Sequence, residues 1–170
     1  GIEFFDSTGA MVKSGSRTVK CVTGYNLCGL MIQSEGTLGI ISQAVMKLVP
    51  PPKATKALMA VFADMQNAAD AVAGIIAAHI LPCTLEFLDN NTIIRVDDFT
   101  HAGLPRDAGA ILLIEVDGYP EQVEDDAAAI AKVLEANKAT EIHIPKDAQE
   151  KARLWEARRQ ALPVLARARP

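Results

Sequence analysis

Two stretches of this sequence contain residue types that bind ligands in other proteins. The first is SEGTLGI, in which Gly36 and Gly39 lie among apolar residues beside the carboxylate of Glu35. Glycine permits positive φ and a close approach of the backbone to a ligand, and amides exposed in such a turn can donate to an anion or to the polar edge of a ring. The alternative is a tight turn that leads into a strand, and these residues alone favour that alternative.

The second stretch is LWEARRQALPVLARARP, which carries a cation among apolar residues. Leu154, Arg158 and Leu162 recur at helical spacing, and Trp155 precedes the arginine by three residues. An arginine on an apolar face needs an acidic partner or an anionic ligand, and a guanidinium fits a carboxylate in a bidentate manner. The alternative is an arginine whose stem covers the tryptophan while its charge reaches water, and the residues alone slightly favour it. Arg159 is the other candidate for the ligand role.

The composition excludes several classes of protein. With a net charge of −4 and no cluster of Lys and Arg interleaved with aromatic residues, the chain does not indicate a nucleic-acid surface. It contains no apolar run of membrane-spanning length and shows no signal peptide. Its hydrophobic fraction of 49% and charged fraction of 22% are typical of a folded globular protein.

Cysteine and histidine spacing does not predict a metal site. The cysteines are Cys21, Cys28 and Cys83. Their odd number and their spacing fit neither a disulfide framework nor a zinc or iron–sulfur motif, so we expect reduced thiols in a cytosolic protein. The histidines lie far apart in sequence, at His79, His101 and His143.

The triple proline at positions 50–52 divides the chain into two segments. Before it, IEFFDSTGAMV predicts a strand, a turn and a strand, RTVKCVT a strand or an extended segment, and GYNLCGLMI a short helix. The alternation of apolar and polar residues over positions 38–49 predicts a half-buried strand.

After the prolines, from residue 56, the pattern predicts four strands alternating with helices. Asp64 is expected to cap the first of these helices, and Pro163 to end or kink the last. The helix before the final strand has an apolar stripe formed by Val123, Ala127, Ile130 and Leu134. This order predicts an α+β fold, with a ferredoxin-like antiparallel sheet and helices on one face.

The region before the prolines resembles a known flavoprotein family. The matching elements are TVK, GYNL and SEGTLGI, followed by a strand and prolines. Together they resemble the end of the FAD-binding domain in the vanillyl-alcohol-oxidase-type family. The likeness is strongest to the branch that holds the FAD-linked subunits of glycolate oxidases and the D-lactate dehydrogenases. It implies backbone contacts to FAD from around Glu35, Gly36, Gly39 and Ile40. Because a carboxylate repels phosphate, we expect Glu35 itself to hold the turn by a hydrogen bond.

The remainder of the chain resembles the first part of the same family's substrate-binding, or cap, domain. In the family's LW-x-x-R segment the arginine binds the carboxylate of a 2-hydroxy acid, and by position this is Arg158. The resemblance therefore implies two parts, with residues 1–52 as the C-terminal part of an FAD-binding domain and residues 53–170 as the N-terminal part of the cap domain. Neither the Gly-rich loop that cradles the FAD pyrophosphate nor the family's catalytic histidines and acid match this sequence, so we expect an internal piece that is inert alone.

The resemblance also implies a reaction for the intact parent, the oxidation of glycolate or a D-2-hydroxy acid such as D-lactate to the 2-oxo acid. A base takes the hydroxyl proton while hydride passes to the flavin, and no catalytic base can be named here. The implied partners are the small acid and other oxidase subunits, including an iron–sulfur subunit, in the cytoplasm. The alternative is a non-catalytic ferredoxin-like module for ligand binding or regulation, but the pairing of GYNL with SEGTLGI favours the enzyme.

The isolated chain of 170 residues is expected to be purified without FAD. The phosphate-binding loop is missing, and one exposed turn supplies only a few of the contacts that the cofactor needs. An absorbance spectrum checks this, because bound flavin makes a protein yellow. A preparation with stoichiometric flavin would contradict both the prediction and the interpretation as an internal piece.

Overall fold

The computed structural model describes residues 1–18 and 20–168. Val19, in the segment predicted to be extended, and the last two residues of the C-terminal stretch lie outside the described residues. The chain divides into two compact units, Gly1–Pro50 and Pro51–Pro170. None of the described helices is both long enough and apolar enough to cross a lipid bilayer.

The first unit is a small antiparallel sheet with one short helix. Its elements are β1 (Ile2–Phe5), β2 (Met11–Ser14), α1 (Leu27–Met31) and β3 (Ile40–Ala44), and the strands lie in the order β2-β1-β3. Asp6 begins the turn between β1 and β2, where its carboxylate accepts hydrogen bonds from the amides of Thr8 at 2.8 Å and Ala10 at 3.0 Å. The predicted strand–turn–strand and the predicted short helix are confirmed, whereas the described part of RTVKCVT contains no strand.

The residues before β3 form a tight turn. The backbone amide of Thr37 donates to the carbonyl of Ser34 at 2.9 Å, and φ is positive at both intervening residues, 51° at Glu35 and 80° at Gly36. Two positive φ values in succession are those of a type I′ turn. The hydroxyl of Thr37 also donates to the Ser34 carbonyl at 2.6 Å, whereas the Glu35 side chain has no hydrogen bond among the described residues. The expectation that Glu35 holds the turn is therefore wrong, because Thr37 does so.

Strand β3 is more exposed than its sequence predicts. Alternation predicts one buried face, but all five of its residues are exposed, with Ile40 at 71%. The prediction of a half-buried strand is therefore wrong. Alternation separates two faces, but a face is buried only where another layer covers it, and among the described hydrophobic side chains of this unit only Phe4 and Met31 are buried.

The second unit contains four strands and four helices. They are β4 (Ala54–Phe62), α2 (Met65–Ala77), β5 (Thr84–Asp89), α3 (Asn90–Thr100), β6 (Ala110–Gly118), α4 (Pro120–Ala136), β7 (Glu141–His143) and α5 (Ala148–Ala168). The strand order is β5-β6-β4-β7, and each neighbouring pair is antiparallel. This is the ferredoxin-like order, in which two β-α-β units interleave. The predicted α+β class is confirmed.

The helices of this unit cover both faces of its sheet. On β4, Leu58 and Phe62 face one cluster with α2 and α4, while Met59 and Val61 face another with α3 and α5. The prediction that the helices lie on one face holds for α2 and α4 and is wrong for α3 and α5. The reason is that β4 and β6 are apolar on both faces, so a single helix layer would leave one apolar face in water.

The helix signals in the sequence are mostly confirmed. Asp64 caps α2 by accepting from the amide of Gln66 at 2.7 Å, and the predicted α4 stripe is buried throughout. Pro163 does not end the last helix, because α5 continues through it to Ala168, and the alternative of a kink at Pro163 stays a prediction. A proline removes one backbone hydrogen bond from the helix, but the following residue, Val164, is buried, and its packing favours continuation.

Amide hydrogen exchange on the isolated chain is expected to separate the two units. Residues 56–145 should exchange slowly because their helices bury apolar stripes on the sheet, and the first fifty residues should exchange faster because few of their side chains are buried. Native-state exchange read by mass spectrometry checks this. Equal protection in both units would contradict it.

Gly39→Ala is expected to destabilise the first unit more than Gly36→Ala. A Cβ on Gly39 would lie 2.5 Å from the carbonyl oxygen of Phe5, so β1 and β3 would have to move apart, at a cost of about 1–3 kcal/mol. A Cβ on Gly36 meets nothing within 4 Å and suffers only from its positive φ. Faster exchange of the β1 and β3 amides in Gly39→Ala would support this, and equal exchange in the two variants would refute it.

Candidate functional site

The turn at Ser34–Thr37 is open to a ligand. Among the described residues, the backbone amides of Glu35 and Gly36 have no protein acceptor, and Gly36 has free space where a side chain would stand. Ile40, which follows the turn, is exposed. Free amides beside an open glycine and an apolar side chain fit the polar edge and the flat face of a ring system such as a flavin.

Gly39 has a different environment from Gly36. The place of its missing side chain is occupied by the Phe5 carbonyl and by the side chains of Met31 and Phe4, at 3.1 and 3.3 Å from an ideal Cβ. Close packing against β1 and α1 therefore explains this glycine without a ligand. A flavin contact from its backbone stays a prediction.

In the second unit, helix α5 crosses the sheet and pairs with an acidic or histidine side chain on each of three strands. The pairs are Glu150 with His143 on β7, Lys151 with Glu115 on β6, and Arg158 with Glu86 on β5. Eight helical residues span about 12 Å. Three strand spacings, the distance from β7 to β5, amount to about 14 Å. The spacing of these residues along α5 thus matches the width of the sheet that they cross.

Arg158 is paired with an acidic residue in this structure. Its Nε lies 2.9 Å from Oε1 of Glu86, and its Nη2 donates to the same oxygen. The side chains are 45% and 37% exposed, so the pair lies at the surface. The sequence left three alternatives for this cation, namely an acidic partner, an anionic ligand or a charge that reaches water, and in the fold it has an acidic partner at a partly exposed position.

The apolar stripe predicted around Arg158 is wrong. Leu154 is buried, but Leu162 is 78% exposed. The helix instead buries Leu154, Ala157 and Val164. Positions i and i+8 differ by about 80° around a helix, so the predicted stripe drifts away from the sheet. Arg158 therefore lies at the flank of the buried face.

Arg158 and Glu86 line an open groove between α5 and β5. The other lining residues are Phe87, Leu88, Thr92, Ala161, Leu162 and Leu165. Apart from Thr92 they are apolar, so the guanidinium is the positive group that a small anion would meet there. A groove of this kind can hold an organic acid by its carboxylate while apolar side chains contact its carbon atoms.

Arg159, the other candidate, lies outside this groove. Its Nε and Nη2 donate to Oε2 of Glu156 at 3.1 and 2.5 Å, within the same helix. It has the same side-on contact with a carboxylate as Arg158 but no partner on the sheet.

Sequence reasoning missed Glu86 and the pair formed by Lys151 and Glu115. The Nζ of Lys151 lies 2.6 Å from Oε1 of Glu115 and 2.9 Å from the hydroxyl of Thr55. Glu115 is 8% exposed, so the lysine compensates a buried charge. The available signal was an acidic residue inside an apolar strand, as in AILLIEVDG and TLEFLD, because such a residue requires a partner.

A third pair fixes the beginning of α5. The backbone amide of Lys146 donates to Glu150 at 2.6 Å, and His143 lies 2.9 Å from its other oxygen. These contacts lower the pKa of the Glu150 carboxyl below its ordinary value, the hydrogen bond from the Lys146 amide having the larger effect and that with His143 the smaller one. Among the described residues, no group of three His, Cys, Asp or Glu side chains could hold a metal ion.

Known proteins with similar sequences include subunits of glycolate oxidase and D-lactate dehydrogenases. The chain is 42% identical over all of its length to the glycolate oxidase subunit GlcD of Bacillus subtilis and covers 36% of it. It is 39% identical to GlcD of Escherichia coli strain K12, covering 86% of this chain and 30% of that protein. It is 30% identical to the D-lactate dehydrogenase of Anaerostipes hadrus, covering 89% and 33%. The chain thus spans about a third of the length of the curated relatives it matches.

Solved structures support the fold. An alkyldihydroxyacetonephosphate synthase superposes with a TM-score of 0.58 at 20% identity, covering 96% of this chain and 32% of that one. The family model described as FAD linked oxidases, C-terminal domain, matches residues 51–170. Together with the whole-length identity to glycolate oxidase subunits, this match shows that the chain belongs to the FAD-linked oxidase family.

Proposed function

We propose that this chain is part of an FAD-dependent oxidoreductase that oxidises glycolate or a D-2-hydroxy acid such as D-lactate to the 2-oxo acid. The observation that carries the proposal is the 42% identity along the whole chain to a glycolate oxidase subunit. The D-lactate dehydrogenases among its relatives support the same substrate class, a small acid with a hydroxyl beside its carboxylate.

Arg158 is the residue that we assign to the substrate carboxylate. It is the cation of the groove between α5 and β5, and its fork of N–H donors matches a carboxylate in geometry and charge. Holding the acid by this end would orient the carbon that carries the hydroxyl, which is a positioning role. We assign no catalytic base to this chain.

FAD is the cofactor of the intact protein, and it supplies the hydride acceptor when bound. We propose that the turn around Glu35 and Gly36, with Ile40, contacts it in the parent. Free backbone amides, open space and an exposed apolar side chain at this turn support the proposal. Gly39 belongs to the same contact by resemblance and is also required by packing. On this proposal residues 1–52 come from the FAD-binding domain and residues 53–170 from the cap domain.

The relatives also suggest an assembly. The relatives from Bacillus subtilis and Escherichia coli strain K12 are subunits of glycolate oxidase. We propose that the intact protein associates with other oxidase subunits, an iron–sulfur subunit among them, and acts in the cytoplasm.

The alternative is a non-catalytic ferredoxin-like module for ligand binding or regulation. The sheet order fits that alternative equally well, because many binding modules share it. Membership of the FAD-linked oxidase family favours the enzyme.

In the full-length protein, Arg158→Lys is expected to impair turnover far more than flavin binding. Lysine keeps the charge but loses the two-donor fork, so the substrate carboxylate is held less rigidly. We expect kcat/KM for the 2-hydroxy acid to fall by about one to three orders of magnitude, and Arg158→Ala to be worse. Steady-state kinetics beside a flavin assay would measure both effects.

Arg159→Ala is the matched control, since Arg159 has a similar carboxylate contact but lies outside the groove. Its effect should be mild. If Arg159→Ala is crippling while Arg158→Ala is nearly silent, the carboxylate site is assigned to the wrong arginine. Full activity in both variants would place the substrate carboxylate elsewhere in the parent.

A further inference from the structure

We propose that Glu86 is a positioning residue for Arg158, which it holds by one edge of the guanidinium while the other edge is left for the substrate carboxylate. This inference rests on the proposed function, because it concerns how the same groove binds the acid. It adds an acidic residue on β5 to a site whose cation lies on α5.

The geometry of the pair carries the proposal. A guanidinium has five N–H donors and two edges that can each bind a carboxylate, the side edge of Nε and Nη2 and the end edge of Nη1 and Nη2. Glu86 accepts from Nε and Nη2 through a single oxygen, so it takes the side edge. Among the described residues, Nη1 of Arg158 has no acceptor, so the end edge is open to a ligand.

The location of Glu86 makes it suitable for this role. It lies on β5, where it pairs in register with Leu113 of β6, so its backbone is fixed by the sheet. Arg158 has a long and flexible side chain on a helix, and the groove around it is mainly apolar. Among the residues that line this groove, Glu86 is the acidic one, and without its contact the guanidinium could adopt several rotamers.

A competing role for Glu86 makes the opposite prediction. If its carboxylate occupied the place of the substrate carboxylate, the acid would have to displace it, and removing its charge would tighten binding. The observed side-edge contact argues against this, because the end edge is available without displacement.

The test uses the full-length protein with FAD bound. Glu86→Gln keeps the shape of the side chain and removes its charge, and Glu156→Gln is the matched control because Glu156 makes the same side-edge contact with Arg159 outside the groove. Two quantities are measured for each variant. They are kcat/KM for glycolate and D-lactate, normalised to bound FAD, and the Kd of oxamate, a non-reactive carboxylate, by calorimetry.

Glu86→Gln is expected to lower kcat/KM by about tenfold to a hundredfold, because a misplaced substrate loses its alignment for reaction. The Kd of oxamate should rise with it, whereas Glu156→Gln should leave both values within about twofold of wild type. Glu86→Asp, which keeps the charge, should recover part of the loss. In an Arg158→Ala background, Glu86→Gln should have no further effect, because it acts through that arginine.

Four results would overturn the proposal. Two of them concern Glu86→Gln itself, namely tighter binding of oxamate, or kcat/KM and Kd both unchanged from wild type. The third is that Glu86→Gln lowers kcat/KM equally with and without Arg158. The fourth is that Glu86→Asp has a kcat/KM no higher than that of Glu86→Gln. A wild-type protein that binds oxamate but oxidises neither acid contradicts the proposed reaction instead. In that case the oxamate titrations still decide the role of Glu86.

Discussion

The antiparallel pairing of β4 with β6 is the interaction on which the second unit depends. The two strands are in register over nine residues, from Ala54 opposite Gly118 to Phe62 opposite Ala110, and both faces of the ribbon are apolar. An apolar ribbon of this kind is stable in water only when both faces are covered. The edge strands β5 and β7 attach to its two sides, and two helices pack on each face. The groove that holds Arg158 exists because α5 belongs to the second helix layer.

Helix α5 holds Arg158, the cation of the candidate site, in place. Its apolar residues, including Leu154 and Ala157, fix it on the sheet. Charged residues at its flank pair with acidic or histidine side chains on three strands, and Lys151 also reaches the fourth strand at Thr55. Partly exposed ion pairs contribute only about 0–1 kcal/mol each to stability. Their larger effect is on orientation, since a charged side chain with a partner on a neighbouring strand keeps one direction. Burial of its apolar residues therefore sets the position of the helix, and the ion pairs set the orientation of its cationic side chains.

The first unit positions its candidate ligand-binding turn, Ser34–Thr37, with much less burial. The hydroxyl of Thr37 forms a hydrogen bond across the turn, and the missing side chain of Gly36 leaves free space beside it. Gly39 allows β3 to lie against β1. Within this short segment, Gly39 is therefore required by packing, whereas Gly36 leaves the backbone accessible to a ligand. Sequence reasoning treated its glycines alike, because composition does not distinguish a glycine that avoids a clash from one that leaves space. That difference depends on the Phe5 carbonyl, which lies more than thirty residues earlier in the chain.

The sequence by itself determined the family, the order of strands and helices and the buried stripe of α4, because these depend on local spacing and on short motifs such as SEGTLGI. It also singled out Arg158 but left open whether its charge meets an acidic partner, an anionic ligand or water. Only the tertiary structure decided that Glu86 is that partner, that helices cover both faces, and that β3 stays exposed. Each of these depends on which surfaces meet across long separations in the chain. Periodicity describes the faces of one element but carries no information about what packs against them.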